Sequence, residues 1–326
     1  MAWRTPSFWT RSGPLSTCLL PISWLYGLGG RLRRSLVTPA ATPGPVICVG
    51  NAVAGGAGKT PVSLSIASML KQHGRRPAFL TRGYGGRQKG PVRVDLARHD
   101  VADVGDEALL LARLAPTVVA ANRRAGAAEA FSLGAEIVIM DDGYQNPSLA
   151  KALSLLVVDG NYGFGNGRVI PAGPLREPAT EAVARADAVV LFGEDSGNVL
   201  RQIPAGIPVL RARLEPASGA GKFRHKRVVA FAGIGHPEKF FQTLTTLNCE
   251  IIERYAFPDH HAYDPDEIMR LVETADRTDA VLVTTAKDHV RLSAEAKPMV
   301  AVLEVMVAWQ DGQALETLIA DRIGRG

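Results

Sequence analysis

The residues Gly55-Gly56-Ala57-Gly58-Lys59-Thr60 are the strongest chemical signal in the chain. They follow the apolar run Val46-Ile47-Cys48-Val49 and precede a stretch with helical character from about Pro61 to His73. A strand, then a Gly-rich turn, then a helix is the context in which such a run binds phosphate. Glycines let successive backbone N–H groups turn inward, and the helix N-terminus adds positive partial charge. In that arrangement Lys59 would bridge the β- and γ-phosphates of a nucleoside triphosphate, and Thr60 would offer its hydroxyl to Mg²⁺. The usual pattern carries a further glycine where Val53 stands, so the loop is a variant.

An acidic counterpart lies downstream in Ile137-Val138-Ile139-Met140-Asp141-Asp142. Apolar residues ending in aspartate read as a buried strand with carboxylates at its C-terminal edge, the edge that faces the ligand in open α/β sheets. Two adjacent carboxylates repel, and a nearby cation relieves that repulsion. One of the two would hold the Mg²⁺ shell; the turn that begins at Gly143 leaves open which one.

Two further clusters have acid–base character. Asp106, in Gly105-Asp106-Glu107, is placed either to cap a helix or to accept a proton from an attacking hydroxyl. A free aspartate is a weak base at neutral pH and would need a relay partner. Phe257-Pro258-Asp259-His260-His261 supplies candidates, because a histidine beside an aspartate is oriented by it and shares its proton. The Gly-rich loop Arg82-Gly83-Tyr84-Gly85-Gly86 follows a strand and is a candidate for lining the cleft. The dense Pro/Gly run Pro171 to Pro178 would form a rigid loop in which the Arg176 fork is suited to a phosphate.

These groups need a scaffold. Besides Val46–Val49, strands are expected near 77–81, 117–120, 137–140, 153–158 and 188–192, with helices near 107–114, 124–133 and 180–185. Alternating strands and helices mean a parallel sheet covered on both faces. The chain turns polar, basic and Gly-rich at 219–226, as a linker or exposed hairpin, before a second α/β pattern. That pattern has strands near 228–231, 250–255, 280–284 and 300–307, and helices near 237–247 and 312–322. The expected organisation is therefore an N-terminal segment 1–37, a P-loop domain 38–220 with a mostly parallel sheet, and a smaller α/β domain 226–326.

The N-terminal segment holds three of the four tryptophans, Trp3, Trp9 and Trp24, together with Tyr26, Arg31, Arg33 and Arg34. Tryptophan and tyrosine suit the headgroup zone of a bilayer, and arginines suit anionic lipid; a helix packed on the protein's own core would explain the same residues. No stretch is long and apolar enough to span a bilayer, and the arginines after the apolar run are unlike a secretory signal. The chain has 326 residues, 46% of them hydrophobic, which excludes a disordered chain. Three scattered cysteines argue against a disulfide framework or structural zinc site and for a reducing compartment. A formal charge of +5, with scattered basic residues and no reader motif, gives nucleic-acid binding no support.

Taken in order, several segments resemble the tetraacyldisaccharide 4′-kinase family, the lipid A 4′-kinases of Gram-negative bacteria. They include Pro21–Gly27, Gly50–Pro61, Arg82–Gly85, Gly105-Asp106-Glu107, Asp141-Asp142-Gly143-Tyr144-Gln145, Pro171–Pro178, Phe231–Gly235, Phe257–His260 and Lys287-Asp288. The absent first loop glycine is a feature of that family too. Ala108 in place of a proline and Gly86 in place of a basic residue are departures. The resemblance implies transfer of the ATP γ-phosphate, with Mg²⁺, to the 4′-hydroxyl of a tetra-acylated glucosamine disaccharide 1-phosphate. It implies two α/β domains closing on the nucleotide and an N-terminal helix resting on the cytoplasmic face of the inner membrane, in peripheral contact with anionic lipid. By residue, it makes Asp106 the base and His260 its partner. Gly55 to Thr60 hold the nucleotide, and Thr60, Asp141 and Asp142 serve the metal. Tyr84, Arg176 and Glu177 lie on the acceptor side, and Trp24, Tyr26, Arg31, Arg33 and Arg34 on the membrane. No protein partner is expected.

Other P-loop proteins fit less well. ATPases of the partitioning or metal-chaperone type carry a lysine where Ala54 stands, and Thr285-Ala286-Lys287-Asp288 has the letters but not the spacing of a guanine-reading motif. A regulatory or maturation ATPase or GTPase at the membrane is the alternative reading, and a pure membrane scaffold leaves the loop and the acidic pair unexplained.

Overall fold

The computed structural model describes residues 6–324; Trp3 lies outside the described residues. After a 3₁₀ turn at Ser7–Trp9 come two helices, α1 (Pro14–Cys18) and α2 (Leu20–Leu36). The larger lobe then builds β1 (Val46–Gly50), β2 (Pro77–Thr81), β3 (Val92–Arg93), β4 (Thr117–Val119), β5 (Ile137–Asp141), β6 (Leu153–Asp159), β7 (Ala188–Phe192) and β8 (Val209–Pro216). Its helices are α3 (Lys59–Gln72), α4 (Val101–Val104), α5 (Asp106–Ala112), α6 (Arg123–Ser132) and α7 (Ala179–Ala184). The smaller lobe holds β9 (Arg227–Ala232), α8 (Pro237–Thr246), β10 (Glu250–Ala256), α9 (Pro265–Arg277), β11 (Val281–Thr285), α10 (Ala286–His289) and β12 (Ala301–Leu303). The chain then returns to the larger lobe with β13 (Val305–Trp309) and α11 (Gly312–Ile323).

The larger sheet runs β13-β8-β7-β6-β1-β5-β2-β4-β3, parallel except for its two edge strands. Strands β1, β2, β5, β6 and β7 are buried along their whole length, which is why they read as unbroken apolar runs. Strand β1 lies between β5 and β6, with Val49 opposite Asp141 and Gly50 opposite Leu156. The loop leaving β1 therefore starts beside the carboxylate that ends β5, at the point where the strand order reverses, which is where open α/β sheets bind ligands.

The smaller sheet, β10-β9-β11-β12, is all parallel, with α8 packed in the core on one face and α9 on the other. The two-lobed α/β organisation agrees with the sequence reading; its C-terminal boundary does not. The run 300–307, expected as one strand, divides: Leu303 enters the smaller core and Val307 the larger one. Strand β13 pairs antiparallel with β8, and α11 buries Leu315 and Ile319 in the larger core, so the expected unit 226–326 ends near residue 304. The two chain crossings between lobes, β8 to β9 and β12 to β13, thus lie side by side. The polar stretch 219–226 is not an exposed hairpin. A 3₁₀ helix at Ser218–Phe223 sends Ala220 and Phe223 into the smaller core.

No helix among the described residues is long and apolar enough to cross a membrane. Helix α2 has an unusual polarity. Its one fully buried residue is Ser23, whose hydroxyl donates to the Val169 carbonyl at 2.8 Å and accepts from the Ala172 N–H at 3.0 Å. In α1, Ser16 reaches the Ala172 carbonyl at 2.9 Å. Small polar residues thus tie both helices to the 168–173 loop, while Ile22, Trp24, Leu25, Leu28 and Leu32 face outward, Trp24 with 72% exposure.

Candidate active site

The phosphate side forms where β1 turns into α3. Gly55 and Gly58 take positive φ values, 124° and 85°, and a Cβ at Gly58 would lie 2.9 Å from the Phe192 ring, so only glycine fits there. Gly55 and Gly56 have open space above them, which leaves their backbone accessible to a phosphate. Lys59 Nζ donates to the Gly55 carbonyl at 3.3 Å and stands 3.8 Å from Asp142. Burial lowers its pKa, and the neighbouring Asp142 opposes that shift.

The two aspartates separate. Asp141 points into the helix start: Thr60 Oγ1 donates to Oδ2 at 3.0 Å and Ser63 Oγ to Oδ1 at 2.7 Å. Burial pushes its pKa up, and the repulsion of Asp142 adds to that. A buried carboxylate whose hydrogen-bond contacts are two neutral hydroxyls is chemically suited to Mg²⁺. Asp142 has φ 52° and turns the other way. It accepts from Arg176 Nη1 at 2.9 Å, and Lys59 and Arg176 hold its carboxyl below the usual range despite burial.

The proton side belongs to both lobes. The turn Gly105, with φ 83°, places Asp106 at the first position of α5, where its own Oδ1 accepts the Glu107 N–H at 2.9 Å. Asp106 Oδ2 faces the smaller lobe. His260 Nδ1 lies 3.0 Å away and Lys287 Nζ 3.8 Å, while Arg291 donates through Nε at 2.9 Å and again through Nη2. Burial works to raise the Asp106 pKa, but the His260 bond, the Glu107 side chain and the two cations Lys287 and Arg291 hold it far below the ordinary carboxylate range. The same bond to Asp106 raises His260 above its usual 6.5. Lys287 pairs with Glu107 at 2.9 Å; burial and the adjacent Asp106 nevertheless push Glu107 up to about 7.

Residues from both lobes thus line one cleft: Lys59, Thr60, Asp141, Asp142, Asp106 and His260. Tyr84 stands at its mouth, 71% exposed, with its ring 5.7 Å from the His260 ring. Arg176 also lines it, held by Asp142.

Two expectations need correction. Glu177 is not available to a substrate: it is 1% exposed, and Arg34 at 3.1 Å and Arg185 at 2.8 Å pair with it. A carboxylate in a tight Pro/Gly loop needed internal partners to be buried, and these arginines provide them. By the same contacts Arg34 is drawn into the protein rather than toward lipid. It also binds Glu181 at 2.6 Å, as does Arg31, whose guanidinium remains half exposed. Arg33 has no carboxylate partner among the described residues. His261 turns away from the cluster and pairs with Glu267 at 2.9 Å.

Sequence reasoning overlooked Ser63 and Arg291 and gave Lys287 no role. Ser63 is one turn beyond Thr60 on the same helix face, a spacing that was legible. Lys287 and Arg291 sit four residues apart just past an apolar strand, but only the docking of the smaller lobe brings them to Asp106.

Comparisons with known proteins place the whole chain among relatives of one name. A family model described as tetraacyldisaccharide-1-P 4′-kinase matches residues 15–324. The curated tetraacyldisaccharide 4′-kinase of Paramagnetospirillum magneticum is 50% identical over 98% of this chain and 99% of that one. The Rhodospirillum rubrum protein of the same name is 49% identical over 98% of each. Among solved structures, LpxK from Aquifex aeolicus in complex with ATP superposes with a TM-score of 0.76 at 29% identity, covering 95% of this chain and 99% of that one.

Proposed function

The chain belongs to the tetraacyldisaccharide-1-phosphate 4′-kinase family, and from that premise we propose that it transfers the γ-phosphoryl group of ATP to the 4′-hydroxyl of a tetra-acylated disaccharide 1-phosphate. One observation carries the reading: a phosphate loop, its adjacent acidic pair and the buried Asp106 line one cleft from the larger lobe, and His260 meets Asp106 there from the smaller lobe. Phosphoryl transfer depends on positioning and charge stabilisation more than on covalent chemistry with the protein, and each part has a place in that scheme.

The loop amides and Lys59 hold the triphosphate and offset charge on the leaving oxygen. Thr60 and Asp141, with Asp142 beside them, would hold Mg²⁺, which when bound neutralises phosphate charge. The acceptor hydroxyl oxygen forms a bond to the γ-phosphorus as the bond to the β-bridging oxygen breaks. Its proton passes to the Asp106–His260 pair. His260 is the cleft-facing member, and Asp106, saturated with donors, orients it and keeps it basic. Tyr84 and Arg176 flank the acceptor's approach.

We place the enzyme peripherally on the cytoplasmic face of the inner membrane, where ATP and a lipid acceptor meet. The outward apolar row of α2, with Trp24 and Tyr26, supports this, because a soluble surface rarely exposes such a row, and Arg33 can meet anionic headgroups. Exchanging Trp24 and Leu25 for serine should reduce co-sedimentation with anionic vesicles; unchanged binding would refute the lipid contact. For the reaction itself, purified protein is incubated with γ-labelled ATP, Mg²⁺ and the disaccharide 1-phosphate lipid. Label recovered in the lipid is the expected result. Label recovered only as inorganic phosphate would favour an ATPase.

A further inference from the structure

Of the smaller-lobe side chains that enter the larger lobe's proton-transfer cluster and that no step above uses, Arg291 is more deeply buried than Lys287. Arg291 follows α10, and its side chain is almost wholly buried. Its Nε and Nη2 both donate to Asp106 Oδ2, and its Nη1 donates to the Gly233 carbonyl at 2.7 Å and to Asp288 Oδ1 at 3.0 Å. Asp288, itself fully buried, is fixed by the Gly233 N–H at 2.8 Å, the Tyr263 hydroxyl at 2.7 Å and the Thr285 hydroxyl at 2.6 Å. The guanidinium is thus a rigid bracket between a fixed carboxylate in one lobe and Asp106 in the other.

The bracket has a chemical consequence. Arg291 donates to Oδ2 through two nitrogens and the Glu107 N–H to Oδ1, so the Asp106 carboxylate is held in one rotation, with Oδ2 turned to His260 Nδ1 at 3.0 Å. When Nδ1–H donates to a carboxylate, the lone pair of the neutral ring lies on Nε2. That atom is on the far side of the ring, 3.3 Å from Lys287 Nζ and 3.8 Å from Asp259. We propose that Arg291 is a positioning residue of the phosphoryl-transfer reaction: it holds Asp106 as an orienting carboxylate and so leaves His260 Nε2 to take the proton of the acceptor hydroxyl. This rests on the kinase reading above.

The charges facing the pair are Arg291 and Lys287 on the positive side, and Glu107, Asp259 and, through Arg291, Asp288 on the negative side. Removing the Arg291 charge makes protonation of both Asp106 and His260 easier. Both effects move the acidic limb of the rate profile to higher pH.

The test measures kcat/KM against pH for lipid phosphorylation by the full-length protein, with ATP KM and thermal midpoint recorded alongside. Arg291→Met should lower kcat at least about tenfold and move the acidic limb up by about one pH unit, with the ATP KM little changed. Arg291→Lys keeps the charge but loses the fork, so its limb should stay at the wild-type position while kcat falls. A folded Arg291→Met with an unmoved limb would overturn the proposal, since a merely structural role lowers activity equally at every pH. If Arg291→Met does not fold, Arg291→Lys decides: wild-type kcat, or a displaced limb with the charge retained, overturns it. Failure of the kinase reading is separately visible, because then wild-type protein would not label the lipid.

Discussion

Two buried aspartates in one cleft receive opposite treatment. Asp141 ends a central strand and is met by the hydroxyls of Thr60 and Ser63; Asp106 begins a helix and is met by Arg291, His260 and Lys287. Burial alone would raise both pKa values. It does so at Asp141, whereas at Asp106 the His260 and Glu107 side-chain bonds, together with the Lys287 and Arg291 charges, reverse the effect. The protein compensates one carboxylate with its own charges and gives the other only neutral donors, which is the environment a divalent cation completes. Residue type does not distinguish these roles; the charge of the neighbours does.

The comparison is most severely tested at the residues that carry it. Lys59→Ala should reduce turnover on the order of 10³-fold, the scale of losing a donor that stabilises transition-state charge; ordinary ATP kinetics in that variant would remove the phosphate loop from the mechanism. Asp106→Asn keeps the shape but removes the charge that orients His260. Turnover should fall by about 10²-fold or more with little change in ATP KM, and equal damage to both would make Asp106 a structural residue. Next in size is the pH dependence of the wild type. His260 is raised above 6.5 by Asp106, and only its neutral ring accepts a proton, so activity should decline as pH falls through a value above 6.5. In Asp106→Asn that limb should move back down toward 6.5. A limb insensitive to the substitution would uncouple the pair.

The two regions also differ in how far the sequence reveals them. The phosphate side is contiguous: β1, its loop and α3 follow one another, and the carboxylates of β5 are announced by an apolar run. Local rules therefore pointed to the loop, Lys59, Thr60 and the two aspartates, and passed over Ser63. The proton side joins Asp106 to residues more than a hundred and fifty positions away, and its partners fall in a lobe whose placement depends on packing rather than on pattern. Arg291 read as one of many basic residues. Glu177 and Arg34 illustrate the converse error: a charged residue in a motif was taken to face a ligand, although four side chains, Arg34 of α2, Glu177 of the 171–178 loop, Glu181 of α7 and Arg185 just after it, satisfy one another. The C-terminal boundary was lost for a similar reason, because two short strands separated by Glu304 have the pattern of one strand until it is known that Leu303 and Val307 enter different cores.

The smallest expected effect sharpens the contrast furthest. Ser63 donates to Asp141 Oδ1, and Thr60 to Oδ2, so the serine fixes the carboxylate's rotation without itself being a predicted metal ligand. Outer contacts of this kind typically tune metal affinity by about ten- to a hundredfold. Ser63 makes one such bond to a residue that Thr60 also restrains, which puts Ser63→Ala near the low end, a rise of about tenfold in the Mg²⁺ concentration for half-maximal activity. At saturating Mg²⁺ turnover should return close to wild type, because the substitution takes nothing from Lys59 or the loop amides. The acidic limb of the pH profile should not move at all, since that limb belongs to Asp106 and His260 and neither touches Ser63. A displaced limb in Ser63→Ala would mean that the two carboxylates act as one coupled system, and the separation of cation binding from proton transfer would have to be abandoned.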